Sequence, residues 1–138
     1  VNQMQGDGLM AIFGAPAQTE SHREQAVNAA REMIELLKAF NEQRVVQNKS
    51  EVRIGIGIAS GNVIAGYTGT QHRATYTCVG DTVNLAARIE SHTKVAGRQV
   101  LIDKYTREGL PADISVDDLG DVVFKGKNQS VQVFAVNS

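Results

Sequence analysis

The sequence predicts a single α+β domain over residues 1–138, and three observations support that prediction. Segments with the two-residue period of strands are intermixed along the chain with segments that have the three- and four-residue period of helices. Neighbouring predicted strands are often joined by short turns, which favours hairpins over the crossovers of a parallel doubly wound fold. The 138 residues contain no internal repeat and no linker, and a chain of this length can bury a substantial core.

The chain is predicted to open with a β-hairpin followed by a long helix. Val1 to Gln5 leads into Gly6-Asp7-Gly8, whose residue types are typical of a tight turn, and Leu9 to Phe13 forms a short apolar strand. Ser21 and Glu24 have the spacing of a capping box at the start of the helix. The apolar residues of this helix recur at three- and four-residue steps: Ala26, Ala30, Met33, Leu37 and Phe40.

The next segment, Val52 to Ala59, alternates isoleucine with glycine and is predicted to be a strand. Its isoleucines face one way, whereas Gly55 and Gly57 face the other, so we expect another element to approach the glycine face closely. Ser60-Gly61 is predicted to turn the chain back into Asn62 to Tyr67 as a second hairpin.

The remaining predicted elements are shorter. Thr75 to Val79 is predicted to be a strand, and Asp81 is predicted to cap a helix from Thr82 to about His92. After that helix the pattern predicts strand, helix and three strands: Gln99 to Ile102, Asp103 to Glu108, Ser115 to Leu119, Val122 to Phe124 and Val131 to Val136.

The composition argues against several classes of protein. Fourteen basic and 15 acidic residues give a formal net charge of −1, which argues against a nucleic-acid-binding protein. The longest apolar run, Leu9 to Phe13, is far shorter than the ~20 residues that span a bilayer, so we expect no direct membrane contact from this segment. The single cysteine, Cys78, excludes a disulfide within the chain and favours a reducing, cytoplasmic compartment.

Three groups of polar residues are candidates for a functional site, although each alone has an ordinary structural explanation. Asp7 is either a turn residue or a hard oxygen ligand for Mg²⁺ or Mn²⁺. Asn84 and Arg88 share one face of a predicted helix, which is either simply solvated or suited to a ribose hydroxyl and a phosphate. Lys125-Gly126-Lys127 is either a solvated hairpin tip or a contact for a polyphosphate.

The glycine series matches neither of the common nucleotide-binding loops. The chain contains no GxxxxGK[ST], and no helix follows the glycines as the dinucleotide fingerprint requires. Turns and close strand packing explain most of the series: Gly55, Gly57, Gly61, Gly66 and Gly69.

Three blocks and a basic pair nevertheless occur in a characteristic order. The blocks are GDGLMAIFG at 6–14, IGIASG at 56–61 and RATYTCVGDTVNLAARIE at 73–90, and KGK follows at 125–127. Together they closely resemble a class III nucleotidyl cyclase catalytic domain of the bacterial adenylate cyclase type, over nearly the whole chain. The resemblance implies a ferredoxin-like antiparallel sheet with helices on one face, without the family's first strand and adjoining helices, which we expect to lie before Val1.

The resemblance also implies roles for individual residues. Asp7 matches the second of two metal-binding aspartates, so two divalent cations, Mg²⁺ or Mn²⁺, are expected; the first aspartate is expected upstream of Val1. Asn84 matches the asparagine that positions the ribose, and Arg88 matches the arginine that stabilises charge on the reacting phosphate. Lys125, with Lys127 as a close competitor, matches the lysine that contacts the triphosphate.

Two further residues are implied to bind the purine. Thr77 matches a position that holds Asp or Thr in adenylate cyclases and Cys in guanylate cyclases. Gln3 stands where the family's adenylate cyclases have an adenine-reading lysine, and its amide can donate to adenine or accept from guanine. Because the guanylate-type pair of Glu and Cys is absent, ATP is the predicted substrate, and relaxed choice between ATP and GTP is an alternative.

The function implied by the resemblance is the conversion of ATP to 3′,5′-cyclic AMP and pyrophosphate. The family forms each site between two copies of the domain, so a homodimer is expected. Its expected location is the cytoplasm, either as a cytoplasmic protein or as the cytoplasmic portion of a larger, possibly membrane-attached protein. One rival is a non-catalytic cyclase-like module that binds nucleotide or only dimerises, which Gln3 favours. A second rival, from composition and fold alone, is a ferredoxin-like domain that contacts RNA, which the near-zero charge disfavours.

Overall fold

The structure, a computed structural model, describes residues 3–5, 8–13, 21–61, 64–68, 75–124 and 130–137. Of residues 3–5, 64–68 and 75–79 it describes the backbone alone. The α+β prediction is confirmed. The elements in these ranges are Gln3–Gln5 (β1), Gly8–Met10 (β2), His22–Val46 (α1), Ile56–Ile58 (β3), Ile64–Thr68 (β4), Thr75–Val79 (β5), Asp81–Ala96 (α2), Val100–Asp103 (β6), Lys104–Glu108 (α3), Val116–Val123 (β7) and Ser130–Val136 (β8).

Four strands form the largest sheet, in the order β3-β6-β8-β7, and this sheet is mixed rather than wholly antiparallel. β3 runs parallel to β6, with Ile56 opposite Val100, whereas β8 is antiparallel to both β6 and β7. The sequence pattern predicts a hairpin between residues 52–59 and residues 62–67. That prediction is wrong, because β4 pairs with β5 rather than with β3. β3 lies beside β6, which is buried along its whole length, as is usual for strands covered on both faces.

The two long helices cover opposite faces of this sheet, so the prediction of helices on one face is wrong. Val100 and Ile102 of β6 pack in one core with Val27 of α1. Leu101, between them, packs in a second core with Ile89 of α2. β8 alternates between the two cores in the same way, because successive side chains of a strand point to opposite faces. The sheet is thus a middle layer with an apolar core on each side.

The first half of α1 packs on the sheet, and its start differs from the prediction. The capping box does not form, because Ser21 has φ −97° and ψ 21° and its side chain makes no capping bond. The Ser21 hydroxyl instead accepts a hydrogen bond from Gln25 Nε2 at 3.3 Å. Farther along, Asn41 donates to the carbonyl of Val52 and accepts from its amide, both at 2.8 Å. The buried residues of α1 are Ala26, Val27, Ala30 and Ile34.

The glycine face of β3 receives α2, as the alternating pattern predicts. A Cβ on Gly57 would collide with the carbonyl oxygen of Ala86 and the amide nitrogen of Glu90. A Cβ on Gly55 would collide with the side chain of Thr93. The helix therefore lies on the strand backbone to backbone, at a separation that requires glycine at position 57.

Two boundaries differ from the prediction for local reasons. Gly80, rather than Asp81, is the N-cap of α2, and its φ of 140° is a conformation that L residues rarely adopt. The strands predicted at 115–119 and 122–124 form one strand, β7, with a register shift between Asp118 and Asp121. Gly120, at φ 82°, lies within that irregular stretch.

We predict that Gly57→Ala lowers the free energy of unfolding, because the added methyl group must displace the backbone of α2. Overpacking of this kind costs about 1–3 kcal/mol, and denaturant unfolding measures it. Gly109→Ala is the matched control, since the nearest atoms that its new Cβ would meet belong to the side chain of Arg23 rather than to backbone. The control is expected to lose clearly less stability, and equal losses would contradict the backbone contact as the cause.

Candidate active site

α2 carries the two predicted catalytic side chains on the side away from β3. Asn84 is exposed and Arg88 is half-buried. They are one helical turn apart and therefore share a face. The residues of the same helix that meet Gly55 or Gly57, or that are fully buried, are Ala86, Ile89, Glu90 and Thr93.

The described part of the chain leaves both side chains available to a ligand. Among the residues whose side chains the structure describes, none forms a hydrogen bond or an ion pair with the side chain of Asn84 or Arg88. Arg98, just beyond the end of α2, instead donates to Asp117 at 3.0 Å. A planar guanidinium can bridge two phosphate oxygens, and an amide can donate to or accept from a ribose hydroxyl. This helix face therefore suits a ribose phosphate.

The end of β7 is held against the same helix. The ring of His92, one turn beyond Arg88, meets the ring of Phe124 edge-on, with 5.7 Å between centroids and 88° between planes. Phe124 is buried in the core on the α2 side of the sheet and directly precedes Lys125. Lys125 and Lys127 lie outside the described residues, so their predicted contact with triphosphate stays a prediction.

The backbone of the first hairpin agrees with the sequence prediction. Gln3 lies opposite Met10 and Gln5 lies opposite Gly8 in an antiparallel pair. Asp7 itself and the side chain of Gln3 lie outside the described residues, so the roles assigned to them stay predictions.

β5 has the bounds that the sequence predicts, Thr75–Val79. The backbone of Thr77 pairs with Gly66 of β4. Only Gly80 separates the end of β5 from the first residue of α2, so Thr77 and Asn84 belong to one strand–helix unit. The side chain of Thr77 is not among those described, and its purine contact stays a prediction.

Sequence reasoning missed a buried polar cluster at the carboxyl ends of β3 and β6. The Oδ1 atom of Asp103 accepts from the amide of Ser60 at 3.3 Å, and from the amide and hydroxyl of Thr106 at 3.0 and 2.6 Å. The hydroxyls of Ser60 and Thr106 are 2.7 Å apart. Asp103 is 2% exposed and Thr106 is fully buried. Aspartate at the start of α3 signalled the helix cap, but no local signal indicated Ser60.

Burial raises the pKa of the Asp103 carboxyl above its ordinary value of 3.8. The hydrogen bonds from Thr106 and Ser60 act in the opposite direction, but the loss of hydration is the larger effect. The cluster thus holds a carboxyl group whose charged form the fold disfavours.

No metal-binding cluster is formed by the described residues, which bring together no three His, Cys, Asp or Glu side chains suited to an ion. A helix with the length and apolar character needed to cross a bilayer is also absent from those ranges. One small cavity of about 130 Å³ lies beside the start of β6. Its lining includes Arg31, Arg98 and Asn137, and none of the predicted site residues.

Comparison with known proteins gives concordant results. Residues 3–138 match the family model for the adenylate and guanylate cyclase catalytic domain. The chain is 31% identical over 134 residues to Adenylate cyclase 1 of Rhizobium meliloti (strain 1021), covering 97% of this chain and 20% of that protein. The chain therefore spans about a fifth of the length of that relative.

The solved structures that share the fold include two cyclases at similar identity. The guanylyl cyclase Cya2 aligns with a TM-score of 0.85 and 30% identity, over 98% of this chain and 68% of Cya2. The adenylyl cyclase CyaB from P. aeruginosa aligns with a TM-score of 0.80 and 30% identity, over 91% of this chain and 65% of CyaB.

We predict that Asp103→Asn removes a pH-dependent contribution to stability. Because the folded-state pKa is raised, this carboxyl contributes most below its unfolded pKa of 3.8, and the contribution is lost as the pH rises through the folded-state value. Asparagine can still accept the hydrogen bonds but does not titrate. The unfolding free energy of wild type minus that of the variant should therefore fall across this window, as denaturant titrations from about pH 3.5 to 7 would measure.

Asp117→Asn is the control of opposite sign. A hydrogen bond from Arg98 lowers the pKa of Asp117, so its contribution is present above pH 3.8 and is lost at lower pH. A difference that stays constant with pH for Asp103→Asn would contradict the raised pKa.

Proposed function

We propose that this chain, which belongs to the adenylate and guanylate cyclase catalytic domain family, converts ATP to 3′,5′-cyclic AMP and pyrophosphate. The observation that carries the proposal is the outward face of α2, where Asn84 and Arg88 lie one turn apart without partners among the described side chains. A module that only dimerises would not need an amide and a guanidinium kept available in this arrangement, and the turnover assay below distinguishes a module that only binds nucleotide.

In the proposed reaction, the ribose 3′-oxygen attacks the α-phosphorus of the same nucleotide. The new bond closes the cyclic phosphate, the bond from the α-phosphorus to the bridging oxygen breaks, and pyrophosphate leaves with that oxygen while the 3′-hydroxyl loses its proton. Asn84 holds the ribose so that the attacking and leaving oxygens are in line. Arg88 donates to the phosphate oxygens on which negative charge increases in the transition state.

Divalent cations are part of the proposal. Asp7, which lies between β1 and β2 in the sequence, is the carboxylate this chain would contribute, and hard oxygen ligands suit Mg²⁺ or Mn²⁺. When bound, two such ions would neutralise phosphate charge and favour ionisation of the 3′-hydroxyl. Lys125 or Lys127 would hold the triphosphate by charge.

We also propose that the site is completed by a second copy of the chain. Asn84 and Arg88 lie on a helix face that the core of their own chain leaves open. Neither residue lines the small cavity beside the start of β6. In a two-fold dimer, Asp7 of one copy would serve the same nucleotide as Asn84 and Arg88 of the other. Two equivalent sites would result.

Adenine is the proposed base, and guanine is the competing candidate. Adenylate cyclases are among the similar sequences, whereas Cya2, a guanylyl cyclase, is among the similar structures. The choice of adenine rests on Thr77 and Gln3, because these residues stand in place of the guanylate-type pair of Cys and Glu. Both side chains can donate and accept hydrogen bonds, so a measurable rate with GTP is expected as well.

The test supplies ATP or GTP, with Mn²⁺ or Mg²⁺, to the protein as its gene encodes it. Cyclic nucleotide and pyrophosphate should appear in equal amounts, faster from ATP than from GTP. A protein that dimerises in solution but forms neither product from either nucleotide would overturn the proposed activity.

We predict that Arg88→Ala lowers kcat by about 10²–10³ while the affinity for ATP changes little, because the guanidinium acts on charge that develops in the transition state. Steady-state kinetics and nucleotide binding by calorimetry measure the two effects separately. Arg98→Ala, which removes an equal charge paired with Asp117, is the control and should keep full activity. Equal loss of binding and turnover in Arg88→Ala would contradict the assigned role.

We predict that Gln3→Lys increases the ratio of ATP to GTP turnover, because a lysine ammonium can donate to the adenine ring but cannot accept from guanine N1–H. Competition assays with both nucleotides measure the ratio of kcat/KM values. Gln47→Lys, at the far end of α1, adds the same charge and should leave the ratio unchanged. If Gln3→Lys also leaves it unchanged, Gln3 does not contact the purine.

A further inference from the structure

We infer that Asp103 is a positioning residue of the cyclase reaction. It holds the turn at Ser60 and Gly61, and the helix that carries Asn84 and Arg88, α2, packs against that turn. The inference rests on the proposed activity. Asp103 is buried at the end of β6. It acts through the main chain of Ser60 and through Thr106, so it is not assigned any contact with substrate.

Asp103 joins two segments that are far apart in the sequence. Ser60, which is 43 residues earlier, donates its amide hydrogen to Oδ1 of Asp103. The hydroxyl of Ser60 pairs with the hydroxyl of Thr106, which itself donates to Asp103. Ser60 is therefore held twice, by its main chain and by its side chain. The turn after β3 is fixed to the end of β6 by these two links.

The turn held in this way supports the start of α2. A Cβ on Gly61 would lie 2.6 Å from Oγ1 of Thr82, so the two residues are in close contact in the first turn of the helix. Gly57 lies directly against the helix backbone at Ala86 and Glu90. The first turns of α2, which carry Asn84 and Arg88, thus rest on residues 57–61.

The turn at Ser60 and Gly61 also precedes the two strands, β4 and β5, of which β5 carries Thr77. The chain leaves the turn after Gly61 and returns through β5 and Gly80 into α2. The contact between Gly61 and Thr82 thus joins the residues that flank the segment 62–81. A displacement at Ser60 therefore changes where α2 and β5 lie relative to the sheet, and misplacement of reacting groups by ~1 Å can cost about 10²-fold in rate.

The experiment compares Asp103→Ala with two matched variants of the protein as its gene encodes it. Asp103→Asn keeps an acceptor for Ser60 and Thr106. Val27→Ala removes a buried side chain from the opposite core, in α1, and lowers stability without touching the turn or α2. All are assayed at a temperature where circular dichroism shows them fully folded and sedimentation shows the same oligomer.

Asp103→Ala is expected to lower kcat by about 10- to 10²-fold with a KM for ATP within about threefold of wild type, because alignment and charge stabilisation act in the transition state. Asp103→Asn should restore most of the turnover, and Val27→Ala should keep wild-type kcat. An active wild type with unchanged kcat in Asp103→Ala overturns the inference alone, as does an equal loss of kcat in Val27→Ala. A wild type that cyclises neither nucleotide overturns the proposed function and this inference with it.

Ser60→Ala is the second variant, for the case in which Asp103→Ala does not fold. It removes only the hydroxyl link to Thr106 and leaves in place the buried carboxyl and its three donors, the amides of Ser60 and Thr106 and the Thr106 hydroxyl. Its kcat is expected to fall several-fold at constant KM. Full kcat in Ser60→Ala, together with an unfolded Asp103→Ala, would overturn the positioning role.

Discussion

The close contact between β3 and α2 is the constraint on which the described structure depends. At Gly57 the strand meets the helix backbone itself, so the orientation of α2 is set by main-chain atoms rather than by side chains that can change rotamer. The isoleucines of the same strand pack in the core on the α1 side. β3 therefore lies between the core on the α1 side and the backbone of α2, and it can do so only because isoleucines occupy one of its faces and glycine the other.

The Asp103 cluster limits the position of the strand along the helix. A buried carboxylate loses hydration, and the raised pKa of Asp103 reflects that cost. An apolar replacement would avoid the cost of the charge but would leave the amides of Ser60 and Thr106 without this acceptor, and unsatisfied buried donors are themselves costly. Because one acceptor serves both segments, the cap of α3 and the turn after β3 are stabilised together.

The sequence predicted those features that neighbouring residues determine. Thr75–Val79 has the predicted bounds, and the glycine face of residues 55–57 is closely approached as expected. Pairing at a distance was not predictable in this way: the periodicity of Ile56–Ile58 indicates a strand but not its parallel neighbour β6. Likewise, the hydrogen bond between Ser60 and Asp103 joins residues 43 positions apart, and neither residue type indicates that the other is its partner.

Two arginines on or near α2 differ in whether an acidic side chain pairs with them, and this difference bears on the chemistry of the candidate site. Arg98 is paired with Asp117, so binding a phosphate there would first break an ion pair. Arg88 has no such partner among the described side chains, and its helix is fixed from the opposite side by β3. Its charge therefore remains available, and the helix turn that carries it is held in place by main-chain contacts. A helix face with these two properties favours transition-state stabilisation over a purely structural role.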